Sequence, residues 1–148
     1  MRSVRKLIQA GMLCSAVLGC GDESVTGTQV PDVVGTWHAT KGQVTSVANP
    51  ANTVDMVALG ATLQVVLNAN HTFATTITFP GEAPETSTGT YTVTATKLTI
   101  TNDQASGGDV IVFDVALNGG TLLLTNGTVD WDFGAGEVAS KLDLTLVH

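Results

Sequence analysis

The sequence predicts an all-β fold, an eight-stranded antiparallel up-and-down β-barrel. Apolar and polar side chains alternate with a period of two through most of the chain after residue 32. Turn-forming residues separate the alternating segments at short intervals. The content of Thr, Val and Ile favours pleated structure, and no stretch after residue 32 has the pattern of a helix of ordinary length. A barrel also removes exposed strand edges, whereas a β-sandwich, the alternative fold, keeps them.

The first half of the barrel is predicted to contain three strands. The first begins at Val33, because every second residue from Val33 to Ala39 is apolar or small. Residues 43–58 are less regular, and we interpret them as a loop that crosses one end of the sheet. Leu59–Leu67 and Phe73–Phe79 then form a hairpin, with its turn at Asn68–His71.

The second half is predicted to consist of consecutive hairpins. The prolines of Pro80–Glu85 indicate a loop, and Asn118-Gly119-Gly120 is the strongest turn signal in the chain. Residues Thr128–Gly136 are predicted to be irregular. The remaining strands are Thr88–Ala95, Leu98–Ile100, Ile111–Leu117, Thr121–Thr125 and Val138–Val147.

An export signal is predicted for residues 1–19. Positive charges at the start precede a mostly apolar run, Leu7–Leu18, whose 12 residues are too few to span a bilayer. The motif Val17-Leu18-Gly19-Cys20 resembles the lipobox of bacterial lipoproteins, whose cysteine is lipidated after cleavage. The resemblance implies an anchor at Cys20; an ordinary secretory signal beside an incidental cysteine is the alternative.

Three segments follow from this interpretation: the signal at 1–19, the lipidated Cys20 with a flexible tether at 20–32, and the barrel at 33–148. The protein is then expected at the cell envelope, held by acyl chains such as palmitate and facing the periplasm or the exterior. Asp22 is not adjacent to Cys20, so the choice between inner and outer membrane stays open. Cys14 lies within the signal, which leaves no disulfide for the barrel.

The charge of the cleaved chain excludes some partners. Three lysines against 13 acidic residues give a net charge of −10. Such a surface repels phosphate, so neither nucleic-acid binding nor electrostatic docking to anionic lipid is expected. The membrane is contacted through the lipid alone.

The stretch Val34-Gly35-Thr36-Trp37 resembles the Gly-x-Trp signature of the lipocalins, in which the tryptophan closes one end of the barrel. Asn68–Phe73, Gly89–Val93 and Asn118–Leu122 are similar to segments of small bacterial lipocalin-like lipoproteins. The resemblance covers Val33–His148 and implies a barrel with a small apolar ligand. Lipocalins place an arginine across the tryptophan ring; this chain has none after Arg5, so Lys141 or His148 is the expected substitute.

The sequence contains no recognisable catalytic constellation, so we predict no enzyme activity and no cofactor. His38, His71 and His148 have no metal-ligand spacing, and no Gly-x-Ser-x-Gly motif accompanies them. Asp130, Asp132 and Glu137 lie on a glycine-containing segment and are the best candidate ligands for calcium. The spacing fails the EF-hand pattern, and a solvated acidic loop is the favoured interpretation.

Five aromatic residues are assigned to the barrel interior: Trp37, Phe73, Phe79, Tyr91 and Phe113. They are the candidates to line a ligand cavity. An eight-stranded barrel is only wide enough for side chains or one small ligand, and the scarcity of aromatic residues favours a filled interior. Two hypotheses result: a barrel that binds a small apolar molecule, or a filled envelope domain whose loops, Pro80–Thr86 and Thr128–Gly136, contact another protein.

Overall fold

The computed structural model describes residues 29–148, which form one sheet of nine antiparallel strands. A short 3₁₀ helix, Gln104–Ser106, lies between the sixth and seventh strands. The strands are β1 Gly35–Ser46, β2 Thr53–Asp55, β3 Thr62–Leu67, β4 Thr72–Thr78, β5 Glu85–Val93, β6 Lys97–Asn102, β7 Val110–Asn118, β8 Thr121–Asp132 and β9 Glu137–Val147. The predicted export signal, Cys20 and most of the tether lie outside the described residues.

The sheet closes into a barrel because the first strand pairs with the last. β1 and β9 are in antiparallel register from His38↔Val147 to Ser46↔Ser140. The other neighbours follow chain order from β3 to β9. This confirms the eight-stranded up-and-down barrel, formed by β1 and β3–β9, and the β-sandwich alternative is wrong.

β2 is an addition to the predicted eight strands. The first part of β1, Gly35–His38, pairs with β3, whereas Gln43–Thr45 pairs with β2. A bulge between Ala39 and Lys41 separates the two parts and moves the chain from one neighbour to the next. The prediction of a loop over residues 43–58 is therefore wrong at both its beginning and its centre.

The barrel interior contains two connected groups of apolar side chains. The larger group fills the end that contains Trp37, and the smaller one, around Val44, Met56 and Ala61, lies at the opposite end. Burying these side chains supplies the main driving force for folding. The most deeply buried residues of the larger group are Val33, Trp37, Val65, Leu67, Phe73, Tyr91, Leu98, Phe113, Leu122, Leu124 and Leu146.

Several predicted boundaries differ from the structure. Leu59 is 65% exposed and lies outside the strand to which it was assigned. β5 begins at Glu85, so the predicted loop there ends earlier. Residues Thr128–Asp132 are not irregular, because they continue β8 and pair with β9; only Phe133–Gly136 form the turn.

The wall of the barrel opens between β7 and β8. These strands pair only over Asp114–Asn118 and Thr121–Thr125. Beyond that region β7 pairs with β6, and β8 pairs with β9, but they do not pair with each other. A bulge between Leu124 and Gly127 bends β8 at this point. The result is a gap bounded by Val110–Phe113 on one side and Asn126–Asp132 on the other.

Candidate functional site

The end of the barrel near Trp37 is closed by aromatic and imidazole rings. The Trp37 indole is 1% exposed, and its Nε1–H donates to the Val33 carbonyl over 2.8 Å. The His148 ring lies on the indole with a centroid distance of 3.8 Å. His148 therefore takes the place that the lipocalin resemblance gives to an arginine. Lys141 does not, because its Nζ donates to Thr128 Oγ1 over 2.8 Å.

Gly35 is required by this closure. A Cβ at this position would lie 2.3 Å from Cε1 of His148, well inside van der Waals contact. Its φ of 150° is also unfavourable for residues with a side chain. The glycine thus allows the imidazole to reach the indole of Trp37.

Tyr91 completes the closed end from the opposite wall. Its hydroxyl donates to the Asn68 carbonyl over 2.8 Å, and its backbone N–H donates to the His71 carbonyl. These bonds fix the β3–β4 turn against β5. Burial raises the pKa of the Tyr91 hydroxyl, and the charge of Asp32 raises it further. The phenol therefore stays neutral and remains a donor.

Between this end and the opposite one, the barrel encloses a cavity of about 530 Å³. That volume is in the range of protein sites for small molecules. Its walls are mainly aliphatic, and polar lining residues come mostly from strand ends away from Trp37. The cavity is therefore blind at the closed end and opens at the other.

Two phenyl rings form part of the cavity wall, each above a glycine on a neighbouring strand. Phe73 lies against Gly89, and Phe113 lies against Gly127. A Cβ at residue 127 would be 2.1 Å from Cε1 of Phe113, and one at residue 89 would be 2.8 Å from Cε1 of Phe73. The missing side chains let both rings pack onto the wall instead of across the interior.

One side of the open end is covered by a second apolar group. The rings of Phe79 and Trp131 approach each other with a centroid distance of 6.1 Å, and Met56 is buried in the same cluster. Trp131 also lines the cavity. The mouth is therefore narrowed by apolar side chains near β1, β2 and β4, while the ends of β5, β6 and β7 surround the rest.

Asp55 holds the segment that carries Met56. Its Oδ1 accepts hydrogen bonds from the N–H groups of Gly42, Val57 and Ala58 at 3.1, 3.1 and 3.4 Å. Burial alone would raise the pKa of this carboxyl. The three backbone donors and the charge of Lys41 outweigh burial, so the pKa lies below its ordinary value.

A family model, described as a lipocalin-like domain, matches residues 33–124, which is more than half of the chain. The chain belongs to the lipocalin-like domain family. Among curated proteins, none matches the chain. Lipocalin-like barrels are typically binding or carrier folds, not enzymes. In residues 29–148 no helix is long and apolar enough to cross a membrane.

The five aromatic residues predicted to line the lipocalin-like interior occupy three different places. Phe73 and Phe113 line the cavity. Trp37 and Tyr91 belong to the closed end, and Phe79 is half-buried at the mouth. Sequence reasoning did not include Trp131, although a large apolar residue between two acids, Asp130 and Asp132, indicates a strand that alternates between interior and surface.

The candidate calcium ligands do not converge. Asp132 accepts hydrogen bonds from the N–H groups of Gly134 and Gly136 at 2.6 and 2.9 Å, and these bonds lower the pKa of its carboxyl. Glu137 lies opposite Asp132 in the β8–β9 ladder, but Asp130 lies opposite Ala139. In the part of the chain that the structure describes, no three acidic, cysteine or histidine side chains are placed to hold a metal ion.

Proposed function

We propose that this chain is a lipid-anchored binding protein of the cell envelope that holds a small apolar molecule inside a lipocalin-like barrel. The cavity of about 530 Å³ carries the proposal. Its base is aliphatic and aromatic, its far end is closed by Trp37, and its open end faces solvent. Such a chamber removes an apolar molecule from water, which is favourable by roughly 25 cal/mol for each Å² of apolar surface buried.

Binding inside the barrel is tested with an uncharged naphthylamine dye whose fluorescence rises in apolar surroundings. The wild type should enhance its emission saturably. Thr75 lines the cavity, so Thr75→Phe should fill the chamber and reduce the dye affinity about tenfold or more, since an added ring in a packed site costs about 1–3 kcal/mol.

Thr76→Phe is the matched control, because Thr76 is the next residue of β4 and faces outward, with its hydroxyl 3.5 Å from that of Thr86. This variant should bind the dye like the wild type. Equal binding by both variants would place the dye on the surface and contradict an interior site. Absence of binding to the wild type would favour the alternative of a filled domain that contacts other proteins.

The anchor is a separate part of the proposal. Cys20 follows the apolar run at the position where the lipobox resemblance places the lipid. Expressed in a bacterial host, the full chain should yield a mature form that starts at Cys20, carries acyl chains by mass spectrometry, and sediments with membranes. Cys20→Ser should abolish all three results, whereas Cys14→Ser, in the discarded run, should change none. An unmodified Cys20 thiol on the mature protein would refute the anchor.

A further inference from the structure

The carboxylates of this barrel fall into two groups that differ in their contacts. Six aspartates accept hydrogen bonds from neighbouring groups: Asp32, Asp55, Asp103, Asp114, Asp132 and Asp143. Within residues 29–148, the other five carboxylates have neither a hydrogen-bond partner nor an ion pair. One of them, Glu82, lies in the exposed loop between β4 and β5. The remaining four, Glu85, Asp109, Asp130 and Glu137, are called the mouth carboxylates below.

The mouth carboxylates surround the opening of the cavity. Glu85 and Asp109 line the chamber at the starts of β5 and β7, and Asp130, whose side chain is exposed on the outward face of β8, borders it at the gap. A second hollow of about 490 Å³ lies in the gap between β7 and β8 and is lined by Asp109, Asp130 and Glu137. Ile111 and Val129 line both spaces, so the apolar chamber and the acidic gap adjoin at these two residues.

The lysines do not neutralise this opening. Lys97 pairs with Asp114 on the outer surface, and Lys141 donates to Thr128 and to the Asn126 carbonyl. Lys41 lies near Asp55. Among the described residues, neither a lysine nor a histidine lines the chamber or the gap. A carboxylate or phosphate head group would meet four carboxylates against one ammonium group, that of Lys141, which donates to the gap-lining Thr128; its binding is therefore disfavoured.

A single metal ion does not fit the mouth carboxylates either. No three such groups in residues 29–148 are close enough to coordinate one ion. A larger cation that spreads its charge over several ångströms can approach several carboxylates without being coordinated by them. Trp131 lines the chamber beside Asp130, and the face of an indole attracts organic cations as well.

We propose that the ligand of this cavity is an amphiphile with a positively charged amine head group. Its apolar tail occupies the chamber above Phe73 and Phe113, and its ammonium group lies in the gap between β7 and β8, among the mouth carboxylates. This inference rests on the proposed function, because it specifies the ligand class of the same cavity.

The test compares dodecylamine, dodecanol and dodecanoate, which share one alkyl chain and differ in the charge of the head group. Each competes with the uncharged dye for the full barrel at neutral pH, below its micelle concentration. Dodecylamine should bind at least about fivefold more tightly than dodecanol, because several solvent-accessible carboxylates act on its ammonium group and each contributes a factor of up to about five. Dodecanoate should bind more weakly than dodecanol. Added salt should reduce the preference because it screens exposed charges.

Variants locate the charge effect. Asp130→Asn should weaken the binding of dodecylamine about two- to fivefold and leave the binding of dodecanol unchanged. Asp32→Asn removes the same charge beyond the closed end, near Tyr91, and should affect neither ligand. Combining Asp109→Asn, Asp130→Asn and Glu137→Gln should make the amine and the alcohol bind alike.

The possible failures are distinguishable. If dodecanol and dodecylamine bind equally to the wild type, or dodecanoate binds best, the inference about the head group is wrong while the cavity remains a binding site. If none of the three displaces the dye and the dye itself does not bind, the proposed function fails. An equal loss of dodecylamine affinity in Asp32→Asn and Asp130→Asn would show that the effect comes from the net charge of the protein. The placement of the ammonium group in the gap would then be wrong.

Discussion

His148 and Trp37 form a contact that depends on a third residue. The imidazole lies 3.8 Å from the indole by ring centroids, and residue 35 must be glycine for the imidazole to fit there. A ring pair of this kind contributes about 0.5–1.5 kcal/mol beyond burial. The contact ties the residue after β9 to the start of β1, at the seam where the barrel closes.

We predict that His148→Ala lowers the free energy of unfolding by about 1 kcal/mol, because the ring pair is lost. Gly35→Ala should cost about 2 kcal/mol, through the clash with His148 and the strain of a positive φ. The double variant should cost less than the sum, because the clash disappears once the imidazole is absent. Urea denaturation of the four proteins measures the coupling; strict additivity would show that Gly35 does not act through His148.

Asp55 should make the barrel sensitive to acid. Its folded pKa lies below the value of about 3.9 for an unfolded aspartate. Ionised Asp55 therefore stabilises the fold fully above that unfolded value, and the stabilisation is lost as the pH falls through the folded pKa. Asp55→Asn keeps the acceptor oxygen but removes the charge.

The melting temperature of Asp55→Asn should be lower than that of the wild type near pH 7, and the difference should shrink below about pH 4. Thermal denaturation across pH 2 to 7 measures this. Glu82→Gln is the control, because the Glu82 side chain is exposed and accepts no hydrogen bond within residues 29–148. A constant difference between Asp55→Asn and wild type at all pH values would contradict a lowered pKa for Asp55.

At the scale of the strands, the bulge in β8 and the ring of Phe113 depend on each other. The bulge between Leu124 and Gly127 places Gly127 on the inner face, directly beneath Phe113. Gly127 is buried, and a Cβ there has no free space. We expect the phenyl ring to move toward the cavity, which it lines.

Gly127→Ala should therefore lower the free energy of unfolding by about 1–3 kcal/mol and also weaken dye binding, because the displaced Phe113 ring enters the chamber. The double variant Gly127→Ala with Phe113→Leu should regain much of the dye affinity, because leucine leaves room for the new methyl group. Denaturation and dye titration of the same samples provide both readings. Unchanged dye affinity in a destabilised Gly127→Ala would indicate that Phe113 moves away from the cavity.

Bulges also explain which strands the sequence predicts well. In some strands, such as Phe73–Phe79 and Ile111–Leu117, every second residue faces inward along the whole length. For these strands, alternation predicts both the position of the strand and its inner face. In β1 the inner residues change from odd to even numbers after Ala39, and in β8 they change from even to odd after Leu124. Each change interrupts the period of two, so both strands were predicted too short. Trp131 was missed for the same reason.

At the scale of the whole molecule, the ring of strands was predictable, but the space inside it was not. Alternation predicts which apolar residues face inward, and turn signals predict the number of strands. The volume left empty depends on packing, such as two phenyl rings lying over Gly89 and Gly127 instead of across the interior. The gap between β7 and β8 depends on a bulge and on where pairing stops. Neither leaves a periodic signal in the sequence.

The two ends of the barrel should differ in local stability. At the closed end, Trp37, Leu122 and Leu146 are at most 1% exposed, Trp37 is paired with Val65 of β3, and Leu146 is paired with both β1 and β8. At the gap, Val110 and Val112 are 59% and 46% exposed. The Val115 N–H donates toward β6 and the Asp109 carbonyl accepts from β6. By alternation, the N–H groups of Val110 and Val112 point into the gap, where β8 provides no pairing.

Hydrogen exchange resolved by residue should follow this division. The amide of Val112 should exchange at least about tenfold faster than that of Phe113 beside it, because only the latter faces β6; tenfold corresponds to about 1.4 kcal/mol of opening free energy. Amides of Trp37 and Leu146 should exchange only with global unfolding. A ligand head group in the gap should slow exchange at Val110 and Val112 and leave the closed end unchanged. Uniform exchange around the barrel would mean that the gap is closed in solution, and the route from the chamber to the mouth carboxylates would then be lost.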